Sequence, residues 1–145
     1  MQTLVAPSDD ERTWGMYGHL SGMFAFTGVP FGGIIGPLVL YIQNRHTRPF
    51  AAEQSREALN FHITAGIVQF VAIALLIGGY VNLLFSVSTM PKDAAPPIGS
   101  FGSILIGLAV YLAVYLYTFV LTLVGTIRAS KGEAYRYPLT IRLVR

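Results

Sequence analysis

The sequence predicts an all-α integral membrane protein, a compact bundle of four helices whose first two form a tight or re-entrant hairpin and whose last two are full transmembrane spans. Three observations predict it. First, Thr13 to Asn44, Ala58 to Pro91 and Ala94 to Ile127 hold no Asp, Glu, Lys or Arg, although such residues make up 12% of the chain. An apolar run of about 20 residues crosses a hydrocarbon core of about 30 Å, whereas a helix facing water needs charge every turn or two. Second, the first stretch is interrupted by Gly28-Val29-Pro30-Phe31-Gly32-Gly33, where proline lacks an amide hydrogen and glycine opens unusual backbone angles. Third, the basic residues gather in two segments that flank the later stretches, as membrane topology requires.

The elements follow in order. Ser8-Asp9-Asp10-Glu11 has capping-box spacing, with three acidic residues at the positive end of a helix over about 9–27, and Arg12 and Trp14 mark the interface. Such a beginning argues against a cleaved signal peptide, which wants a basic start and a short apolar core. A second helix occupies about 31–43. As one helix, Thr13 to Asn44 would measure roughly 45 Å, too long for one upright span and too short for two, so a hairpin is expected. One kinked, tilted span is the competing reading and would place the N-terminus outside. Pro49 suits the first turn of a third helix over about 50–88, along which Glu53 and Arg56 have ion-pair spacing and Glu57 extends a solvated face. PKDAAPPIGS then reads as a turn-rich connection. A fourth helix covers about 100–130, and Gly132 ends it. In the basic tail, residues 131–145, Leu139 to Leu143 alternate as a short strand or an extended strip against the bundle would.

Orientation comes from counting positive charges. Arg45, Arg48 and Arg56 precede the second uncharged stretch, and Arg128, Lys131, Arg136, Arg142 and Arg145 follow the third, whereas Lys92 stands alone beside Asp93 between them. The connector and the tail are therefore expected on the cytoplasmic side of the membrane, and with the hairpin the N-terminus joins them. Arg45, Arg48, Arg128, Lys131, Arg136, Arg142 and Arg145 are the candidate headgroup or topology residues. The net charge of +3 then needs no nucleic acid to explain it. With 145 residues, 53% of them hydrophobic, the chain has room for a single membrane domain over 1–145 and no separate soluble one.

Reactive chemistry is sparse. The chain has no cysteine, which removes disulfides, thiolate metal sites and cysteine nucleophiles. Asp9, Asp10, Glu11, Glu53, Glu57, Asp93 and Glu133 all lie outside the uncharged stretches, and no nucleophile elbow or phosphate-cradling loop is present. Neither catalysis, cofactor nor metal is expected. His19 and His62 lie within uncharged stretches without metal-ligand spacing and read as hydrogen-bonded interfacial histidines, while His46 reads as solvated. Gly18 with Gly22 and Gly32 with Gly36 stand four apart, the spacing of close helix packing, within the chain or in a dimer. Tyr111, Tyr115, Thr118 and Thr122 share one helical face and, with Asn60 and His62, form either a packing seam or a polar path.

A resemblance adds to these readings. Glu11 to Ser21, Pro30 to Leu38, Glu57 to Phe61 and Gly132 to Ile141 resemble, in order, a bacterial membrane family known as domain of unknown function, number forty-eight seventy. More distantly the chain resembles the chloroplast inner-envelope import subunit Tic-twenty, a four-helix membrane protein. The resemblance implies four helices in a bacterial inner membrane with both termini cytoplasmic and brings no catalytic residues. The loop PKDAAPPIGSFG is longer than that family's pattern, which leaves room for a further extracytoplasmic contact. The expected function is a non-catalytic accessory or assembly component of a larger membrane complex, translocation being the process the resemblance brings. The alternative is a small oligomeric pore or transport subunit. The expected partners are the lipid bilayer and other membrane proteins or further copies of the chain.

Overall fold

The computed structural model describes residues 6–28, 31–91 and 98–145. It is all-α. Four helices, α1 (Asp9–Leu20), α2 (Gly32–Asn44), α3 (Pro49–Thr89) and α4 (Ile98–Ser130), are joined by short connections, and a 3-10 segment, Ser21–Phe26, follows α1. No strand occurs among the described residues. The turn-rich connection read from the sequence falls largely at 92–97, and the break at Val29 and Pro30, outside the described residues.

Local chemistry sets each boundary. The Ser8 hydroxyl accepts the Glu11 N–H at 3.2 Å and the Glu11 carboxylate accepts the Ser8 N–H at 3.4 Å, so both members of the capping box are in place. The α-helical winding stops at Leu20, earlier than the expected 27. At that point the Ser21 hydroxyl donates to the Gly18 carbonyl, a side-chain bond that competes with the helical ladder. The chain leaves the 3-10 segment through Gly28 at φ 78° and enters α2 through Phe31 at φ 58°. Glycine takes that left-handed geometry freely and phenylalanine only at a cost. α1 has 12 residues and α2 has 13, about 18–20 Å each, so neither reaches across a hydrocarbon core. Glu11 also accepts the Phe50 N–H at 3.2 Å, satisfying one of the amides that α3 leaves open at its start.

α3 and α4 are both long and apolar enough to cross a membrane. Their contacts divide between two units. One comprises the described residues through Ala65 together with Thr118–Arg145, and the other comprises Gly66–Tyr117. In the second unit the two helices run antiparallel and close: a Cβ on Gly107 would lie 2.9 Å from the Ala72 carbonyl oxygen, a Cβ on Gly79 would lie 2.4 Å from the Ser103 hydroxyl, and Ser100 donates to the Asn82 side chain at 3.0 Å. Small residues that admit a second backbone are the packing device of membrane helices. Phe70, Val81, Phe85, Leu105 and Leu116 are exposed around this pair. A soluble core helix would bury them; an apolar exterior fits lipid.

Candidate functional site

The most polar interior of the chain lies in the first unit, where the start of α3 receives the C-terminal tail. Gln54, Glu57, Phe61 and Thr64 recur at helical spacing, so they share a face of α3, and Asn60 lies beside them. The tail from Glu133 onward is neither helix nor strand, so its backbone amides lack a ladder and need other partners. The α3 face supplies them. Gln54 Oε1 accepts the Tyr135 N–H at 2.9 Å and Thr64 Oγ1 accepts the Ile141 N–H at 3.0 Å. Asn60 grips the end of the tail from both sides: its Oδ1 accepts the Leu143 and Val144 N–H groups at 3.0 and 2.8 Å, and its Nδ2 donates to the Val144 carbonyl at 2.9 Å. Phe61 stacks on Tyr137 with ring centroids 4.0 Å apart and planes 8° from parallel. The expected strand or strip is thus an extended strip, held by side chains rather than by a sheet.

One buried carboxylate anchors two cations of that strip. The Glu57 side chain is 3% exposed, and its Oε1 lies 3.2 Å from Arg142 Nε and 3.8 Å from Arg136 Nε. The expectation that Glu57 belongs to a solvated helix face is corrected here. A carboxylate taken from water at this depth needs counter-charge, and the tail brings it. Arg136 and Arg142, expected as headgroup or topology residues, lie within ion-pair distance of this carboxylate while their side chains stay exposed.

His19 occupies the centre, fully buried, with both ring nitrogens engaged. Its Nε2 lies 3.0 Å from Gln54 Oε1 and its Nδ1 lies 2.8 Å from the Tyr137 hydroxyl. Because the Gln54 oxygen can only accept, Nε2 carries the proton and Nδ1 accepts from the tyrosine. Burial lowers the His19 pKa from 6.5 to about 4, outweighing the opposite influence of the Gln54 hydrogen bond, so the ring is neutral near pH 7. Burial likewise raises the Tyr137 pKa, with the Tyr135 phenol adding to it, and the phenol stays protonated. Gly125 makes the room: a Cβ there would lie 2.9 Å from both His19 Nδ1 and the Tyr137 hydroxyl. Nearby, His62 Nε2 lies 3.4 Å from Thr122 Oγ1, and Gly22 passes so close that a Cβ would lie 2.0 Å from the same nitrogen.

Gly18 faces Ser55, Gly22 faces His62, Gly32 faces the Phe24 carbonyl and Gly36 faces Ser21, all within the first unit. Asn60, His62, Thr118 and Thr122 are buried in that unit, whereas Tyr111 and Tyr115 belong to the second, their rings 6.2 Å apart. Arg48 pairs with Asp10 and lies over the Trp14 ring at 5.2 Å, and Arg128 lies over Tyr135 at 5.6 Å. Arg45, Lys131, Arg145 and His46 are exposed. Among the described residues no three His, Asp or Glu side chains gather as a metal site. Sequence reasoning gave Gln54 and Tyr137 no role and placed Glu57 on a solvated face. The signal for them was faint but present: Gln54, Glu57, Asn60 and Thr64 recur at three and four just before a charge-free run, and a polar stripe there needs something polar to cover it.

A family profile, MamF/MmsF, described as the magnetosome magnetite crystal formation protein family, matches residues 10–144. Neither the curated proteins nor the solved structures yield a match. The profile overturns the resemblance drawn to the family of number forty-eight seventy and to Tic-twenty, because nearly the whole chain fits a different named family.

Proposed function

The chain belongs to the MamF/MmsF family of magnetosome magnetite crystal formation proteins, and from that premise we propose that it is a non-catalytic assembly component of the membrane in which the crystal grows. The observation that carries this reading is how the polar interior is used. Gln54 Oε1, Glu57 Oε1, both amide atoms of Asn60 and His19 Nδ1 engage the chain's own tail, which is what a structural clamp does, although the buried Glu57 Oε2 keeps no hydrogen-bond partner among the described residues. The family description lends no support to translocation. No observation favours the oligomeric pore either, since Asn60 and His62 are already engaged within the first unit.

Partners on this reading are the bilayer and other membrane proteins or further copies of the chain, met through the exposed apolar sides of α3 and α4. The N-terminus, the connector and the tail lie on one membrane side, the cytoplasmic side of the inner membrane or its continuation around the crystal. What supports a common side is that the first unit gathers all three: Asp10 pairs with Arg48, Glu11 receives the Phe50 amide, and Gly132 lies against Arg12. The test is deletion of the gene in a magnetite-forming bacterium, with crystal size and shape measured by electron microscopy. Smaller or misshapen crystals, restored by the wild-type chain, are expected. Crystals indistinguishable from the parent strain would remove the reading.

A further inference from the structure

A chain of side-chain hydrogen bonds crosses the first unit from the tail to the hairpin of α1, the 3-10 segment and α2. It begins at Gln54 Oε1, which accepts both the Tyr135 N–H and the His19 Nε2–H. His19 Nδ1 accepts the Tyr137 hydroxyl at 2.8 Å. Thr122 carries the chain on, since its hydroxyl bonds to the Tyr137 phenol and lies 3.4 Å from His62 Nε2. A helical threonine commonly rests its hydroxyl on the carbonyl one turn back, as Thr126 does on Thr122 and Thr64 does on Asn60. Thr122 turns its own to side chains.

Each link fixes the direction of the next. Tyr137 has one hydroxyl hydrogen and His19 takes it, so toward Thr122 the phenol oxygen can only accept. Thr122 gives its single hydrogen to the phenol, so it accepts from His62, and the His62 proton sits on Nε2. The bare Nδ1 then faces the hairpin, where a Cβ on Gly33 would lie 2.9 Å from it. At the other end of the chain the tail leaves α4 through Gly132, at φ 78°, and its bonds to α3 run through the side chains of Gln54, Asn60 and Thr64. Such a strip can lift without opening a helical ladder.

We propose that this chain reports tail docking to the hairpin through the tautomer of His62. With Tyr137 seated, the ring carries its proton on Nε2. With the tail lifted, Thr122 loses its acceptor and turns its hydrogen to Nε2, so the ring holds its one proton on Nδ1 with no change of net charge. That hydrogen enters the narrow crossing at Gly33 and loosens the hairpin. A partner that draws the tail off α3 is thereby felt at the hairpin, because both ends bias one two-state element, the imidazole.

The test uses the full-length protein in detergent with nitrogen-15 histidine, near pH 7, since protonated and bare ring nitrogens differ in chemical shift. The His62 signals are identified by their loss in His62→Asn. In the parent chain His62 is expected to be protonated at Nε2, a result that depends on no variant. Tyr137→Phe removes the hydroxyl and keeps the ring that stacks on Phe61. It is expected to move the His62 proton to Nδ1 and to speed hydrogen exchange of the Ser21–Phe26 amides about three-fold, with helix content preserved. Thr122→Val cuts the chain, so adding Tyr137→Phe to it should leave both readouts where Thr122→Val alone puts them. A parent His62 protonated at Nδ1 would overturn the proposal. So would a tautomer or a hairpin exchange rate that Tyr137→Phe leaves unchanged, or an equal response to Tyr137→Phe with Thr122→Val in place.

Discussion

His19 ties proton concentration to the docking of the tail. Its ordinary pKa of 6.5 falls to about 4 in the folded chain, so between those values the unfolded chain binds more protons than the folded one. The contribution of His19 to stability is therefore complete above about pH 6.5 and is lost as pH falls through 4. Hydrogen exchange at the Leu143 and Val144 amides should accelerate several-fold between pH 7 and pH 4.5, after correction for intrinsic rates. His19→Asn should flatten that dependence; a slope unchanged by the substitution would exclude His19 as its source. Gly22 gives a steric prediction at the same scale. Gly22→Ala would drive a methyl into the buried His62 ring and should cost about 1–3 kcal/mol, read as a lower melting temperature in detergent. Gly66→Ala, which meets nothing within 4 Å, should leave stability within about 0.5 kcal/mol. The capping box was legible at this scale because all its atoms lie within four residues. The burial of Glu57 was not, because Arg136 and Arg142 lie about eighty residues away.

Among the elements, the tail depends most on side chains that are not its own. Asn60→Ala removes three hydrogen bonds from the last residues of the strip and should weaken docking by about 2–4 kcal/mol, at about 0.5–1.5 each. Limited proteolysis should then clip the chain near Arg142, with the helical circular-dichroism signal of α3 and α4 unchanged; a tail as resistant as in the parent chain would mean that Asn60 does not hold it. The helices themselves are insulated from such a change, since their backbone bonds close within each segment. α3, at 41 residues, is about 60 Å long, roughly twice the hydrocarbon thickness, so only part of it faces lipid tails. Its first part carries Glu53, Arg56 and Glu57 and belongs to the polar unit; its later part carries the apolar exterior. The existence and type of the long helices were readable from sequence because the uncharged stretches are so much longer than any soluble strand or helix requires. The early stop of α1 was not readable, since the Ser21 side-chain bond and the tight passage of Gly22 over His62 outweigh local helix propensity.

For the whole molecule the open prediction is topology. The chain has no native cysteine, so single cysteines report cleanly on the side they occupy. His46→Cys and Glu133→Cys should react with a membrane-impermeant maleimide from one and the same face, and Pro91→Cys from the opposite face. A Pro91→Cys that labels together with His46→Cys would sink the proposed arrangement of two full spans. By itself the sequence determined the all-α membrane class, the two long helices and the helix start at Ser8, because the cost of charge in hydrocarbon and the rules of helix capping act on residues close in the chain. Only the tertiary structure decided that His19 meets Tyr137 118 positions away, that Glu57 is buried against the tail, and that the glycines serve contacts within one unit. Those pairings leave no local period to read, because their energy arises only when distant segments are brought out of solvent together.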